Sequence, residues 1–107
     1  MPERGILDRL ARGETLLMDG ATGSMIQRRG VDLSRGSTDS RLGVWSATAN
    51  LDAPDIVRTV HEDYLKVGAD IVTSNSFWTS RPKLAKIGED GRWEEYTRTA
   101  GNLAVAA

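Results

Sequence analysis

The feature that most constrains this chain is an apolar run that stops at a carboxylate. In Thr15-Leu16-Leu17-Met18-Asp19-Gly20-Ala21-Thr22-Gly23, β-compatible residues give way to an acid and then to small, hydroxyl-bearing and glycine positions. A run of about four or five such residues suits a strand covered on both faces, and a short buried helix leaves the same signature, because periodicity alone does not separate them. The two glycines permit close backbone approach and positive φ. A helical pattern over about residues 24–29, stopped at Gly30, points its first free N–H groups back into the turn. The stretch therefore reads as strand, anion-accepting loop and helix, with Asp19 a fixed negative charge beside the loop.

The pattern repeats. Ala69-Asp70-Ile71-Val72-Thr73 reads as a second buried strand, and it runs into the polar, aromatic loop Ser74-Asn75-Ser76-Phe77-Trp78-Thr79-Ser80. Between the two lies the clearest helix, with Asp52 or Ala53 as its cap and Pro54 in its first turn. Ile56, Val57, Val60, Tyr64 and Val67 share one face, Asp55, Arg58, Glu62, Asp63 and Lys66 the other, and Gly68 ends it.

At the N-terminus, Ile6, Leu7 and Leu10 predict a short amphipathic helix that stops at Gly13 and closes over one end of the core. After Arg81-Pro82 a helical piece carries Leu84 and Ile87, and Gly88 and Gly91 break it. Trp93, Tyr96, Ala100, Leu103 and Ala104 then space a helix over residues 93–107, with Trp93 and Tyr96 in the core. Residues 31–52 read as a long loop anchored by Leu42, Val44, Trp45 and Leu51, its serine-rich part over residues 34–40 mobile rather than catalytic.

Alternation of strand and helix predicts an α/β fold with a parallel sheet, in which ligands sit at the C-terminal ends of the strands. The Asp19 loop and the loop over residues 73–80 are thereby expected on one face. Two strands do not make a sheet with faces and edges covered. Either a third strand lies within residues 42–51, or residues 1–107 form part of a larger domain.

Composition narrows the function classes. A net charge of -1, with 27% of residues charged, argues against a basic face for nucleic acid. The absence of cysteine excludes disulfides and leaves a self-contained zinc site only the single histidine and carboxylates. No run reaches the length of a membrane span or signal-peptide core, so the expected compartment is the cytoplasm and no membrane partner is expected.

Each candidate has a plainer reading beside it. Asp19 could cap the following helix or be solvated, and Gly20 and Gly23 could form an ordinary tight turn or a phosphate cradle. His61 sits at the border of its helix's apolar face, where a packed or surface histidine is the more common outcome than a ligand or base, and Glu62 and Asp63 read as a solvated face. Trp45 is either a loop anchor or a pocket wall. Phe77 is the better pocket candidate of the pair Phe77 and Trp78.

The segments Leu17-Met18-Asp19-Gly20-Ala21-Thr22-Gly23, Gln27-Arg28-Arg29-Gly30, Trp45-Ser46-Ala47, Pro54-Asp55-Ile56-Val57, His61-Glu62-Asp63-Tyr64 and Gly68 through Phe77, in this order and spacing, resemble the N-terminal portion of the homocysteine S-methyltransferase family. That family includes betaine-homocysteine methyltransferase and the homocysteine domain of cobalamin-dependent methionine synthase. The resemblance covers roughly residues 6–107. It implies the first two to three βα units of a (β/α)8 TIM barrel, a fold of about 250 residues when complete.

It also implies that homocysteine binds as a thiolate on Zn²⁺ and takes a methyl group, giving methionine. Zinc lowers the thiol pKa, so that a nucleophilic sulfur exists at neutral pH. Carried over by position, Asp19 holds the homocysteine ammonium, and the backbone N–H groups of Gly20, Ala21 and Thr22 lie near its carboxylate. Thr73, Ser74, Asn75 and Phe77 line the same pocket. The methyl donor, whether a betaine-like onium compound, S-methylmethionine or methyl-cobalamin, is not specified, nor is the oligomeric state.

The family's zinc ligands are cysteines from later in the barrel, so the resemblance places no metal ligand and no catalytic residue among these residues, and the 107-residue chain is expected to be inactive alone. A second reading makes it a non-catalytic partial barrel or an interaction fragment that pairs its open strand edges with another chain. A third is another α/β barrel whose Asp19 loop takes a phosphate ligand.

Overall fold

The computed structural model describes residues 5–38 and 41–107; residues 1–4, and Asp39 and Ser40 of the serine-rich loop, lie outside the described residues. Six helices follow one another among those described: α1 (Gly5–Ala11), α2 (Thr22–Arg28), α3 (Ala49–Asp52), α4 (Pro54–Lys66), α5 (Arg81–Leu84) and α6 (Trp93–Ala106).

The longest helices form where the apolar spacing dictates. In α4 the proline sits in the first turn, where its missing N–H costs nothing. Gly68, at φ 109°, closes the other end: its N–H donates to Leu65 O at 3.1 Å while the Ala69 N–H reaches Tyr64 O at 3.0 Å. These two bonds are a Schellman motif, which needs a left-handed residue at that place. Val67, expected on the inner face, is 80% exposed, because it lies past the last helical turn. The cap at the start of α4 is Ala53, with no side-chain hydrogen bond, while Asp52 ends α3.

Helix α4 buries Val57 and Val60 against Ile26 of α2, Leu33 and Ala49, with Leu103 of α6 packed alongside. Each fully buried Val contributes about 1.5–3 kcal/mol relative to exposure. A second cluster joins Val44, Ala47, Leu84 and Tyr96. The segment between them, expected as loop or third strand, is a 3-10 turn at Trp45–Thr48 running into α3, and it is buried from Ser46 to Asn50.

Two expectations, one in the first helix and one in the last, are corrected. Helix α1 buries none of its residues, and Leu7 is 75% exposed. It is tethered by ion pairs instead: Arg9 reaches Asp70 at 2.8 Å and Glu14 at 2.8 Å. Trp93, expected in the core, opens α6 with 37% exposure, while Tyr96 one turn later is buried as expected.

The two apolar runs expected as buried strands do meet, in parallel, through an isolated bridge between Met18 and Ile71. Asp19 N–H donates to Ile71 O at 3.1 Å, and the N–H groups of Asp70 and Ile71 both donate to Leu17 O, at 2.8 and 3.1 Å. Between these two runs pairing goes no further, and the other bridge among the described residues is an isolated antiparallel one between Thr38 and Arg41, so the molecule is mostly helical. Leu17 and Met18 are 58% and 63% exposed. Parallel sheets extend when both faces are covered, and these faces are open.

Candidate functional site

The bridge delivers Asp19 to the mouth of a cleft of about 310 Å³ between the two polar loops. The Asp19 carboxylate accepts the Thr73 N–H, which lies 3.1 Å from each of its oxygens, so its direction is fixed by the backbone of the second apolar run. One N–H leaves most of a carboxylate's acceptor capacity unspent. Among the described residues Asp19 is the one charged side chain lining the cleft.

All eight residues named as site candidates from the sequence border this cleft: Asp19, Gly20, Ala21 and Thr22 on one side, Thr73, Ser74, Asn75 and Phe77 on the other. They are held in different ways. The Gly20 carbonyl accepts a hydrogen bond from the Tyr64 hydroxyl of α4. Ala21 precedes α2 with φ 52° and ψ 36°. That left-handed backbone is uncommon for a residue with a Cβ, and its only non-glycine counterpart among the described residues, Trp45 at φ 45°, borders the same cleft. The first turn of α2 leaves backbone N–H groups without intrahelical partners at Thr22 and beyond. Phe77 is 80% exposed, and its ring packs edge-on to Trp78 at 6.0 Å between centroids.

Asn75 is in the cleft wall, and its amide is committed to the protein. Its Nδ2 donates to Ser46 O at 2.8 Å and to Asn50 Oδ1 at 3.1 Å, and its Oδ1 accepts the Ser46 hydroxyl at 2.7 Å. Asn50 Nδ2 in turn donates to Asn75 O at 2.9 Å. Both donor hydrogens of the Asn75 amide are thereby used. Asn75 locks the second loop onto the turn that carries Trp45. Thr79 extends the lock to α6 through Thr97, with 2.8 Å between the hydroxyls.

Ser46, Asn50, Gly23, Trp45 and Trp78 complete the cleft or its support. Gly23 is required by close approach: a Cβ there would stand 2.1 Å from Trp45 Nε1. Trp45 is thus both anchor, packed on the core around Val57, and pocket wall. Of these, Ser46 and Asn50 escaped the sequence reading. Their one sequence signal is polarity inside a run of small residues next to Trp45, too common a pattern to mark a site.

His61, on the core side of α4, is fully buried, and neither ring nitrogen has a hydrogen-bond partner. Burial pushes its imidazole below the usual histidine value, and the Asp19 carboxylate works against that shift. Glu62 and Asp63 pair with Arg58 and Arg29 at the surface, as a solvated face does.

The cysteines that would hold the zinc implied by the resemblance are not among these residues. There is no cysteine, and among the described residues no group of three or more His, Cys, Asp or Glu side chains is placed to hold a metal ion. Among the same residues no helix is long and apolar enough to cross a membrane.

Comparison with known proteins gives the cleft a context. The chain is 28% identical over 102 residues to an S-methylmethionine–homocysteine S-methyltransferase of Pongo abelii, a match covering 95% of this chain and 24% of that protein. It is 30% identical over 86 residues to betaine–homocysteine S-methyltransferase 1 of Rattus norvegicus, covering 80% of this chain and 19% of that one. The chain therefore spans about a quarter or less of the length of these relatives. No solved structure matches it. The family model for homocysteine S-methyltransferases matches residues 16–107, a span that starts one residue into the apolar run before Asp19 and takes in both loops of the cleft, and the chain belongs to that family.

Proposed function

We propose that this chain supplies the amino-acid-binding half of a homocysteine S-methyltransferase site, built on the opening βα units of a TIM barrel. The observation that carries the reading is the cleft itself, where one fixed carboxylate shares a wall with the turn at Gly20, Ala21 and Thr22 and the second loop lines the other side. An amino acid presents an ammonium and a carboxylate on one carbon. Asp19 holds the ammonium, and the turn at Gly20, Ala21 and Thr22 receives the carboxylate through backbone N–H groups. Thr73, Ser74 and Phe77 form the wall along which the thiol-bearing side chain lies. Asn75 shapes that wall and contacts no ligand through its amide donors.

Zinc, as in the family, supplies a thiolate at neutral pH when bound. The donor set here does not fit it, so the residues of this chain bind and orient while the sulfur chemistry and the methyl donor belong to groups outside it. The reaction has a cytoplasmic setting in this reading.

The test is Asp19→Ala in the active enzyme. The KM for homocysteine is expected to rise about 10- to 100-fold, the loss of a charge-assisted hydrogen bond worth roughly 1.5–3 kcal/mol. An unchanged KM removes Asp19 from the substrate pocket.

A further inference from the structure

We propose that Asn50 is the positioning residue of the Asp19 carboxylate, acting on it through Asn75 and Thr73. This deepens the reading of the cleft as an amino-acid site and rests on it.

The direction of the Asp19 carboxylate depends on the Thr73 N–H, which lies 3.1 Å from each of its oxygens. Thr73 is held from two sides. Before it stands the parallel bridge at Ile71, whose partner run is exposed at Leu17 and Met18. After it the chain turns tightly, with the Ser76 N–H on Ser74 O at 2.8 Å and the two serine hydroxyls 2.7 Å apart, and Asn75 sits inside that turn. Whatever anchors Asn75 therefore sets where Thr73 presents its N–H.

Asn50 is that anchor. It has no exposed surface, and both of its side-chain hydrogen bonds go to Asn75: Nδ2 donates to the Asn75 carbonyl at 2.9 Å, and Oδ1 accepts from Asn75 Nδ2 at 3.1 Å. One bond to the main chain and one to the side chain of the same residue fix its rotation as well as its distance. The place of Asn50 is set by its neighbours in sequence: Ala49 packs into the cluster around Val57, and Ala47, in the preceding turn, into the cluster around Tyr96. Asn50 thus stands where the two cores meet, behind the cleft wall that Asn75 lines.

The line of contacts runs from Asn50 to Asn75, through two residues of backbone to the Thr73 N–H, and on to Asp19. Removing the anchor frees the second loop, and the carboxylate no longer keeps one direction toward an ammonium group. A ligand group that makes no bond to Asp19 is indifferent to that change. This separates positioning from mere support of the wall.

The test is a chemical-shift titration of the chain with L-homocysteine and with 4-mercaptobutyrate, which keeps the thiol and carboxylate and lacks the ammonium, at a temperature where every variant is folded. Asn50→Ala should weaken L-homocysteine about three- to tenfold. It should leave 4-mercaptobutyrate bound as in the native chain. With Asp19→Asn already in place, Asn50→Ala should add no further loss of L-homocysteine affinity, because the two residues act through one another. Should the alanine variant fail to fold, Asn50→Ser, which offers its hydroxyl to a water in the vacated space, is read in the same way.

An L-homocysteine affinity unmoved by Asn50→Ala overturns the inference and leaves the amino-acid reading of the cleft standing. So does an equal loss for both ligands, or a full further loss in the Asp19→Asn background, since either makes Asn50 a support of the wall alone. L-homocysteine that fails to bind the native chain brings down that reading and this inference together.

Discussion

The two walls of the cleft are held by opposite means. On the Asp19 side a few backbone hydrogen bonds of a parallel bridge cross between runs whose side chains, Leu17 and Met18, face open space. On the Asn75 side a buried side-chain amide makes bonds to Ser46 and Asn50 with no freedom left over. The first wall is legible as a sequence pattern but lightly supported. The second is almost invisible in sequence and rigidly built. The cleft thus divides its labour: the residue that presents charge sits on the open wall, and the residues that tie the second loop down sit on the buried one.

The largest effect that would test this contrast is Asn75→Ala. It leaves the Ser46 hydroxyl and the Asn50 Oδ1 without their partner in the buried wall of the cleft, and should cost about 2–4 kcal/mol in a denaturant titration, with much of the loss shared by Asn50→Ala in a double-mutant cycle. A cost below 1 kcal/mol, roughly the worth of one ordinary hydrogen bond, would erase the contrast. Gly23→Ala comes next. Its methyl group would collide with the Trp45 indole, so about 1–3 kcal/mol should be lost, and most of it recovered in a Trp45→Ala background.

A smaller effect is set by pH. The folded His61 imidazole lies below its unfolded value near 6.5, so the unfolded chain takes the proton first. Stability is full above about 6.5 and falls as the pH drops toward the folded value, with a slope of at most about 1.4 kcal/mol per pH unit from this residue. His61→Gln should flatten that part of a thermal-melting profile. On the open wall, Leu17→Ser should change stability by no more than about 0.5 kcal/mol, because it removes little buried surface. A loss of several kcal/mol would show that the bridge is supported as firmly as the Asn75 side.

Local rules reached some residues and not others. The ends of α4 were legible because Pro54 and Gly68 each act within a few bonds of themselves. The meeting of the Asp19 loop with residues 73–77 followed from topology, which brings the ends of parallel runs together. Strand length did not follow, because it depends on what covers Leu17 and Met18, a long-range matter. The same holds for Trp93 and Val67, whose helical spacing suited a core that ends one turn short of them. Asn50 was illegible for another reason: a buried amide is defined by its partners at a separation of 25 residues, and spacing carries no trace of them.

The aromatic lining of the cleft has an optical consequence. Of the three tryptophans, Trp45 and Trp78 border the cleft, and Lys83 Nζ stands 4.2 Å from the Trp78 ring centre, where its field acts on the indole. Trp93 is elsewhere, at the start of α6. The unlabelled chain therefore contains its own fluorescent reporter of occupancy, and Trp93→Phe removes the one indole whose emission does not originate at the cleft.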